Sequence, residues 1–252
     1  MTAPEIGNLI WVDGQIIEAA DGHVSAQDRG FTLGDGLFET MLWTGKDIRF
    51  LGDHLARLSY SAQALDLPIA SDVDEIAAGL RALGASSSHQ TAAIRLTLSR
   101  GVGPRGLAIS AHGQSRLIAT ISPYQPPTSP AALRVVNITR NPTSPTAHHK
   151  TLSYLDNVMA LAQARAQGGD DGLMLSTTGH VACTSSANVL VKWGKLSSRH
   201  HKVMGQWGGI RPRAVVGCGP DRRSHHHATN VATMHRHGTN QRLDGRALGG
   251  EY

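Results

Sequence analysis

The first apolar runs of the chain come in pairs around short polar turns. Leu9–Val12 and Gln15–Ile17 flank an Asp-Gly pair, which is typical of a two-residue hairpin turn. Thr40–Trp43 and Ile48–Phe50 flank a second polar turn in the same way. Both pairs predict β-hairpins in the first fifty residues.

Later segments have the helical period or read as continuous apolar strands. His54–Leu65 has one apolar helical face, and Ser71 can cap a second helix that runs to about Leu83. A third helix is predicted over Leu155–Gln167. Buried strands are predicted at Thr91–Ser99, Arg116–Ser122, Leu133–Thr139, Leu173–Ser176, His180–Cys183 and Val189–Val191. Hairpins followed by helices favour an α+β fold built of α/β layers over a doubly wound sheet.

A proline-rich segment divides this pattern. Residues 123–130 read Pro-Tyr-Gln-Pro-Pro-Thr-Ser-Pro and can continue neither a helix nor a ladder. We therefore predict an N-terminal domain at 1–122, a linker at 123–131 and a C-terminal domain at 132–195.

The last segment, 196–252, differs from the rest. It has 9 Lys and Arg against 3 Asp and Glu, whereas residues 1–195 have 15 against 16, so the whole basic excess of the chain lies here. Half of the 14 histidines also fall in it, without strand or helix periodicity. We interpret it as an out-of-frame product of a GC-rich gene or as a disordered basic tail. Its histidines match no metal-ligand spacing, and nothing in the body of the chain favours nucleic acid.

Other bulk features suggest a cytoplasmic protein. Apolar runs all fall short of the roughly 20 residues of a membrane span, and no secretory signal pattern opens the chain. Two cysteines, Cys183 and Cys218, form no disulfide framework, which favours a reducing compartment. We expect neither a membrane partner nor a metal.

A glycine-rich segment, Gly101–Gly106, matches the letters of a dinucleotide-binding loop. That motif requires a helix directly after it, and Leu107–Gly113 has no helical pattern. We read the segment as a connecting loop.

Five motifs, taken in order, carry a family resemblance. They are D-R-G-x-x-x-G-D-G-x-F-E-T at 28–40, H-x-x-R-L at 54–58, R-G-x-G-x-R-G at 100–106, K-x-x-x-Y at 150–154 and S-S-x-N at 185–188. Together they resemble the class IV (fold-type IV) aminotransferases, which use pyridoxal 5′-phosphate (PLP). The group includes branched-chain aminotransferases, D-amino-acid aminotransferases and aminodeoxychorismate lyases. The similarity covers roughly residues 8–192.

The resemblance implies a role for each matching residue. Lys150 would be catalytic, forming the covalent bond to PLP, and a lysine needs burial or cationic neighbours to act in this way. Arg57 would bind the phosphate of PLP. The other cofactor-binding positions would be Tyr154, Cys183, Ser185, Ser186 and Asn188, and the substrate-binding ones Phe38 and Arg105. The implied fold is a small N-terminal α/β domain and a larger C-terminal domain, usually in a homodimer.

The chain departs from the family pattern in two features. The family has a glutamate in place of Cys183, which keeps the pyridine nitrogen of PLP protonated. A thiol, with an ordinary pKa of about 8.5, is a poor substitute. The family's later phosphate-binding turn is absent from residues 196–252, which implies an incomplete C-terminal domain.

Three functions follow from these observations. The leading one is amino-group transfer between an amino acid, in particular a branched-chain one, and a 2-oxo acid. The closest alternative is a 4-amino-4-deoxychorismate lyase that gives 4-aminobenzoate and pyruvate. Leu107 disfavours the D-amino-acid branch, which has a histidine at this position. An inactive relative or binding protein without cofactor is the alternative from another class, motivated by Cys183 and the tail.

Overall fold

The computed structural model describes residues 8–109, 113–192, 214–217 and 230–235. Contacts divide the chain into two units. The first comprises residues 1–126 and 149–153, and the second comprises 127–148 and 154–252. The chain therefore leaves the first unit within the proline-rich segment and returns to it for five residues.

Within the described residues, the first unit contains one antiparallel sheet, three α-helices and a short 3-10 helix at Ala19–Asp21. Its strands lie in the order β2-β1-β5-β4-β3. The elements are β1 (Leu9–Val12), β2 (Gln15–Glu18), α1 (Arg29–Leu33), β3 (Gly36–Trp43), α2 (Leu51–Ala64), α3 (Val73–Ser86), β4 (Ala92–Ser99) and β5 (Arg116–Pro123). The first hairpin, α2, β4 and β5 confirm their predictions.

The core of this unit lies between one face of the sheet and the two longer helices. On α3, Ile76, Leu80 and Leu83 follow one another at helical spacing, and all three side chains are fully buried. Strand β4 presents Ile94, Leu96 and other apolar residues to the same core. Because these positions are apolar at the period of their element, burial itself fixes the register of strand and helix.

Two boundary predictions in this unit were wrong. Ile48–Phe50 forms no second hairpin strand, because Ile48 makes only an isolated bridge to Trp43 and α2 begins at Leu51. The cap of α3 is Asp72 and not Ser71. Asp72 accepts a hydrogen bond from the backbone of Asp74, while Glu75 reaches back in a capping box.

The second unit has a six-stranded sheet in the order β8-β7-β6-β11-β10-β9. Its pairings are parallel except for the antiparallel hairpin of β7 and β8. The elements are β6 (Ala132–Arg140), α4 (Pro145–His148), α5 (Leu155–Ala166), β7 (Asp171–Ser176), β8 (Val181–Thr184), β9 (Val189–Lys192), β10 (Ala214–Gly217) and β11 (Asn230–His235). Antiparallel and mixed sheets with helices confirm the α+β prediction.

Two strands of this sheet, β10 and β11, belong to segment 196–252, for which no strand was predicted. The remainder of that segment lies outside the described residues. The interpretation of the segment as an out-of-frame or disordered tail therefore stays a prediction, and Cys218 also lies outside the described residues.

Candidate active site

Lys150 lies on a short piece of chain that extends the sheet of the first unit. The backbone N–H of Phe38 donates to the Lys150 carbonyl (2.9 Å), and that of Leu152 donates to the Gly36 carbonyl (2.9 Å). Leu37 and Thr151 form an antiparallel bridge between these contacts. Residues 150–152 thus act as one more strand along the beginning of β3, and the ladder fixes the backbone of the lysine.

The Lys150 side chain contacts an aromatic ring that is shared with an arginine. Its Nζ atom lies 4.1 Å from the centroid of the Phe38 ring, and Cζ of Arg95 lies 3.8 Å from the same centroid. Phe38 is buried, whereas Lys150 is half-buried and Arg95 is exposed. Cation–π contact with this buried ring holds each of the two cationic groups close to Phe38.

The approach of residue 152 to β3 depends on Gly36. A Cβ atom at this position would lie 2.4 Å from the Leu98 carbonyl oxygen and 2.7 Å from Cδ1 of Leu152. A larger residue would therefore clash with the backbone of β4 and crowd the Leu152 side chain, so it would disturb β3 beside the segment that carries Lys150. This explains in physical terms why the motif at 28–40 has a glycine directly before its apolar residues.

Arg57 of α2 is held by a buried carboxylate on β3. Its Nε donates to Oε1 of Glu39 (2.7 Å), its Nη2 donates to Oε2, and Nδ1 of His54 lies 2.8 Å from Oε2. The Glu39 side chain is 1% exposed. Burial alone would raise the pKa of Glu39, but the hydrogen bonds from His54 and Arg57 and their charges outweigh it and hold the pKa below its ordinary value.

In the second unit, the hydroxyl-rich turn after β8 is organised by Asp171. Oδ1 of Asp171 accepts from the Ser185 hydroxyl and from the Ser185 N–H (3.2 Å), and Oδ2 accepts from the Ser186 hydroxyl (3.0 Å). Ser185 is buried and Ser186 is exposed. One carboxylate therefore fixes both serines of the S-S-x-N motif.

A buried network of hydrogen bonds stabilises the same turn. Nη1 of Arg140 donates to Oδ1 of Asn157 (3.2 Å), and Nδ2 of Asn157 donates to the Ser185 carbonyl (2.7 Å). Arg140 is 4% exposed and Asn157 is 2% exposed. Since both groups are desolvated, these hydrogen bonds cannot be exchanged for water, and the turn has one preferred position.

Cys183 is a buried thiol on β8. Burial raises its pKa, and the negative charge of Asp171 raises it further, while the positive charge of Arg140 acts in the opposite direction. Near neutral pH the thiol is therefore uncharged. The presence of cysteine in place of the family's glutamate therefore removes a negative charge and also changes the size of the side chain.

The other predicted residues divide between the two units. Arg105 is exposed on the loop that follows β4 in the first unit, and residues 101–109 contain no helix, in agreement with a connecting loop. Tyr154 and Asn188 are half-buried in the second unit, directly before α5 and β9. Within the first unit the structure brings Lys150 to Phe38, and within the second it brings the two serines to Asp171, while Cys183 packs in a small buried cluster of β6, β7, β8 and α5.

Sequence reasoning missed the residues that support this site. They are Glu39, His54 and Arg95 in the first unit and Arg140, Asn157 and Asp171 in the second. Glu39 and His54 lie in the motifs at 28–40 and 54–58. Their hydrogen-bonding side chains, in the same motifs as Arg57, could therefore have been proposed as its partners. The others are single polar residues in strands or helices, without a local pattern.

The described residues contain neither a metal-binding cluster nor a membrane-spanning helix. There, no group of three or more His, Cys, Asp or Glu side chains could hold a metal ion. No helix in that part of the chain has the length and hydropathy that a bilayer crossing requires.

Comparison with known proteins identifies the family. The family model for amino-transferase class IV matches residues 36–196, which is more than half of the chain. The chain belongs to the class IV aminotransferases, whose members are PLP-dependent transaminases and related enzymes.

Relatives with different activities match over similar lengths. A Methanocaldococcus jannaschii protein, provisionally named a branched-chain-amino-acid aminotransferase, is 30% identical over 199 residues, which cover 75% of this chain and 67% of the relative. The aminodeoxychorismate lyase of Bacillus subtilis is 27% identical over 214 residues, covering 82% and 72%. The chain therefore spans about two thirds to three quarters of these relatives.

Solved structures confirm fold-type IV. The branched-chain aminotransferase of Escherichia coli superposes with a TM-score of 0.70 over 81% of this chain and 71% of that one, at 18% identity, which speaks for the fold alone. The 4-amino-4-deoxychorismate lyase of Pseudomonas aeruginosa superposes with a TM-score of 0.62 at 30% identity, covering 73% and 69%.

Proposed function

We propose that this chain binds PLP through Lys150 and transfers an amino group between an amino acid, with branched-chain amino acids as the first candidates, and a 2-oxo acid. The observation that carries the proposal is the placement of the Lys150 amine. A backbone ladder to β3 and the buried Phe38 ring hold this amine, and a primary amine held in this way suits covalent attachment of the aldehyde of PLP.

The residues present fit PLP at its aldehyde and its phosphate. Arg57 has the planar guanidinium that suits a phosphate, and Glu39 fixes its orientation. The Ser185 and Ser186 hydroxyls each donate their single proton to Asp171, so they would have to turn away from that carboxylate to donate to cofactor oxygens. PLP, when bound, supplies the electron-withdrawing ring that stabilises negative charge on the substrate carbon.

The fit is poorer at the ring nitrogen of PLP. The family glutamate is replaced by Cys183, whose raised pKa leaves it uncharged. An uncharged thiol does not hold a proton on the ring nitrogen, so we expect slow proton abstraction from the substrate carbon. We therefore propose a weak transaminase for the chain with its own cysteine.

Two arginines in the first unit suit the carboxylate of the substrate. Arg95 lies on the same aromatic ring as the Lys150 amine, so its positive charge is within reach of a molecule bound at that amine. Arg105 is exposed on the loop after β4. Because amino acids and 2-oxo acids both carry a carboxylate, either arginine would serve both half-reactions.

The decisive experiment is borohydride trapping. We expect purified protein with added PLP to acquire a visible absorbance band, and borohydride to add the cofactor's mass to the peptide that contains Lys150. Lys150→Ala should lack both, whereas Lys46→Ala, which removes an exposed lysine of the same unit, should retain both. Labelling of another lysine, or equal labelling of the Lys150→Ala protein, would refute the assignment.

The lyase is the second candidate, because two aminodeoxychorismate lyases match over most of their length. The two activities differ in what they consume. A lyase would release pyruvate from 4-amino-4-deoxychorismate without a 2-oxo acid, whereas a transaminase forms product only when both an amino donor and an oxo acceptor are present. If neither reaction proceeds and PLP does not bind, the chain is the inactive relative.

A homodimer in a reducing compartment stays a prediction.

A further inference from the structure

Arg29 is a buried arginine that the proposed chemistry does not use. It opens α1, and Asp28 caps this short helix by accepting from the N–H groups of Gly30 and Phe31. The Arg29 side chain is 6% exposed. A desolvated guanidinium needs hydrogen-bond partners for its five N–H groups, so its partners indicate what it does.

The guanidinium binds three consecutive carbonyl oxygens of the loop after β4. Nη1 donates to the carbonyls of Gly106 (3.0 Å) and Ala108 (3.3 Å), and Nη2 donates to that of Leu107 (3.2 Å). Three successive carbonyls converge on one point only if the loop curves around it. The side chain of Arg29 therefore acts as the centre around which residues 106–108 are wound.

The direction of this guanidinium is fixed by a second carboxylate and a second arginine. Nε of Arg29 donates to Asp35 Oδ2 (2.9 Å), and Nε of Arg100 donates to both Asp35 oxygens (3.0 and 2.9 Å). Arg100 in turn donates to the carbonyls of Leu65 and Asp66 at the end of α2. The loop is thus tied through Asp35 to the rigid part of the first unit.

Gly103 provides the space that the Arg29 side chain needs under the loop. A Cβ atom at position 103 would lie 2.8 Å from Cδ of Arg29. Gly103 therefore lets the arginine pass beneath the loop. Substitution by alanine would displace Arg29 without removing it.

The loop has little else to hold it. Residues 104–109 are all exposed, and the Leu107 side chain is 82% exposed. The loop buries no apolar side chain over this stretch, so the Arg29 hydrogen bonds are its main tertiary attachment among the described residues. Arg105 lies on the stretch that these bonds shape.

We propose that Arg29 is a positioning residue that sets the conformation of loop 103–108 and thereby the place at which Arg105 meets the substrate carboxylate. The second half of this statement rests on the proposed function; the first half does not. Arg29→Lys keeps the charge but has three N–H donors in place of five and no planar fork, so it cannot bind Asp35 and all three carbonyls together. Gly103→Ala tests the same contact while leaving Arg29 in the chain.

The first test needs no activity. We expect trypsin to cut the Arg105–Gly106 bond at least about tenfold faster in Arg29→Lys and in Gly103→Ala than in the wild type, because the loop opens more often when these charge-assisted hydrogen bonds are lost. Mass spectrometry of the early fragments identifies the cut. Arg81→Ala removes an exposed ion pair with Asp47 in the same unit and should leave the rate unchanged. An unchanged rate in both loop variants would overturn the proposal.

The second test uses the enzyme loaded with PLP. We expect the KM for the amino acid and for the 2-oxo acid to rise about tenfold in both variants, with kcat and PLP affinity changed by less than about twofold. Faster cleavage with an unchanged KM would overturn the positioning role. If the wild type neither binds PLP nor turns over, the proposed function fails, and the anchoring of the loop is decided by the cleavage rates alone.

Discussion

Replacing Glu39 by glutamine is expected to destabilise the first unit strongly. The substitution keeps the size of the side chain and one acceptor oxygen, but it removes the negative charge that Arg57 contacts through two nitrogens and His54 through one. Arg57 and His54 have side chains that are 15% and 11% exposed, so solvent replaces the lost partner only in part. The variant therefore leaves a guanidinium largely buried without its counter-charge.

The magnitude follows from the contacts. A hydrogen bond to a charged acceptor contributes about 1.5–3 kcal/mol net, and the three bonds to Glu39 are not additive because they share one buried carboxylate. Breaking a buried pair from one side costs about 3–5 kcal/mol, and retention of one acceptor oxygen places Glu39→Gln near the lower end. At a urea dependence of about 2 kcal/mol per molar, the midpoint should fall by about 1.5 M.

Urea unfolding followed by tryptophan fluorescence measures this loss, since Trp11 and Trp43 are both buried in the core of the first unit. The pH dependence of the stability loss tests whether the ionised form of Glu39 is the stabilising one. Because the folded state lowers the pKa of Glu39, its contribution is fully present above the unfolded-state pKa of about 4.3 and is lost as the pH falls toward the folded-state pKa. The difference between wild type and Glu39→Gln should therefore be large at pH 7 and shrink below about pH 4.

A matched control separates burial from charge. Asp47→Asn removes the carboxylate of the exposed pair with Arg81 and should shift the midpoint far less than Glu39→Gln. A shift for Glu39→Gln below about 0.5 M at pH 7, or one that stays constant into acid, would refute the account of Glu39 as a buried counter-charge.

Two further substitutions test the site and the loop. Cys183→Glu should raise the transamination rate by about tenfold or more, because Arg140 favours a negative charge there and a carboxylate would accept the N–H of the protonated ring nitrogen and keep it protonated. Single-turnover kinetics with Cys183→Ser as control would measure the change, and an equal rise in both variants would contradict this reason. Gly101→Ala should lower the free energy of unfolding by about 2 kcal/mol or more, since Gly101 has a φ of 78° and a Cβ would lie 1.8 Å from the Gln114 carbonyl; an unchanged urea midpoint would contradict it.

Elements with strong apolar periods could be predicted from the sequence. Helix α3 and strand β4 lie where their apolar residues recur, because burial decides both. No helix is predicted from the sequence at α1, since the glycines and charges of this segment lack such a period. Its signal was the cap, Asp28, which lies directly before the helix. The hairpin ending at Phe50 failed because Phe50 adopts a positive φ of 56° that turns the chain into α2.

Individual residues of the site could be identified, but their partners could not. Lys150 and Arg57 stand in motifs that identify them by resemblance. Glu39 lies 18 residues before Arg57, and the two meet only because β3 packs beside α2. Asp171 likewise reaches Ser185 through the pairing of β7 with β8. Such contacts depend on topology, which local patterns of residues do not encode.

The return of the chain to the first unit at residues 149–153 also affects how the first unit folds while the protein is being synthesised. When the ribosome has completed β5, every strand of the first sheet exists, but the beginning of β3 still presents an unpaired edge. That edge is covered only after residues 150–152 have emerged. A nascent chain or a fragment that stops at residue 126 therefore exposes backbone groups that can pair with another chain, so aggregation is the expected fate of a truncated product.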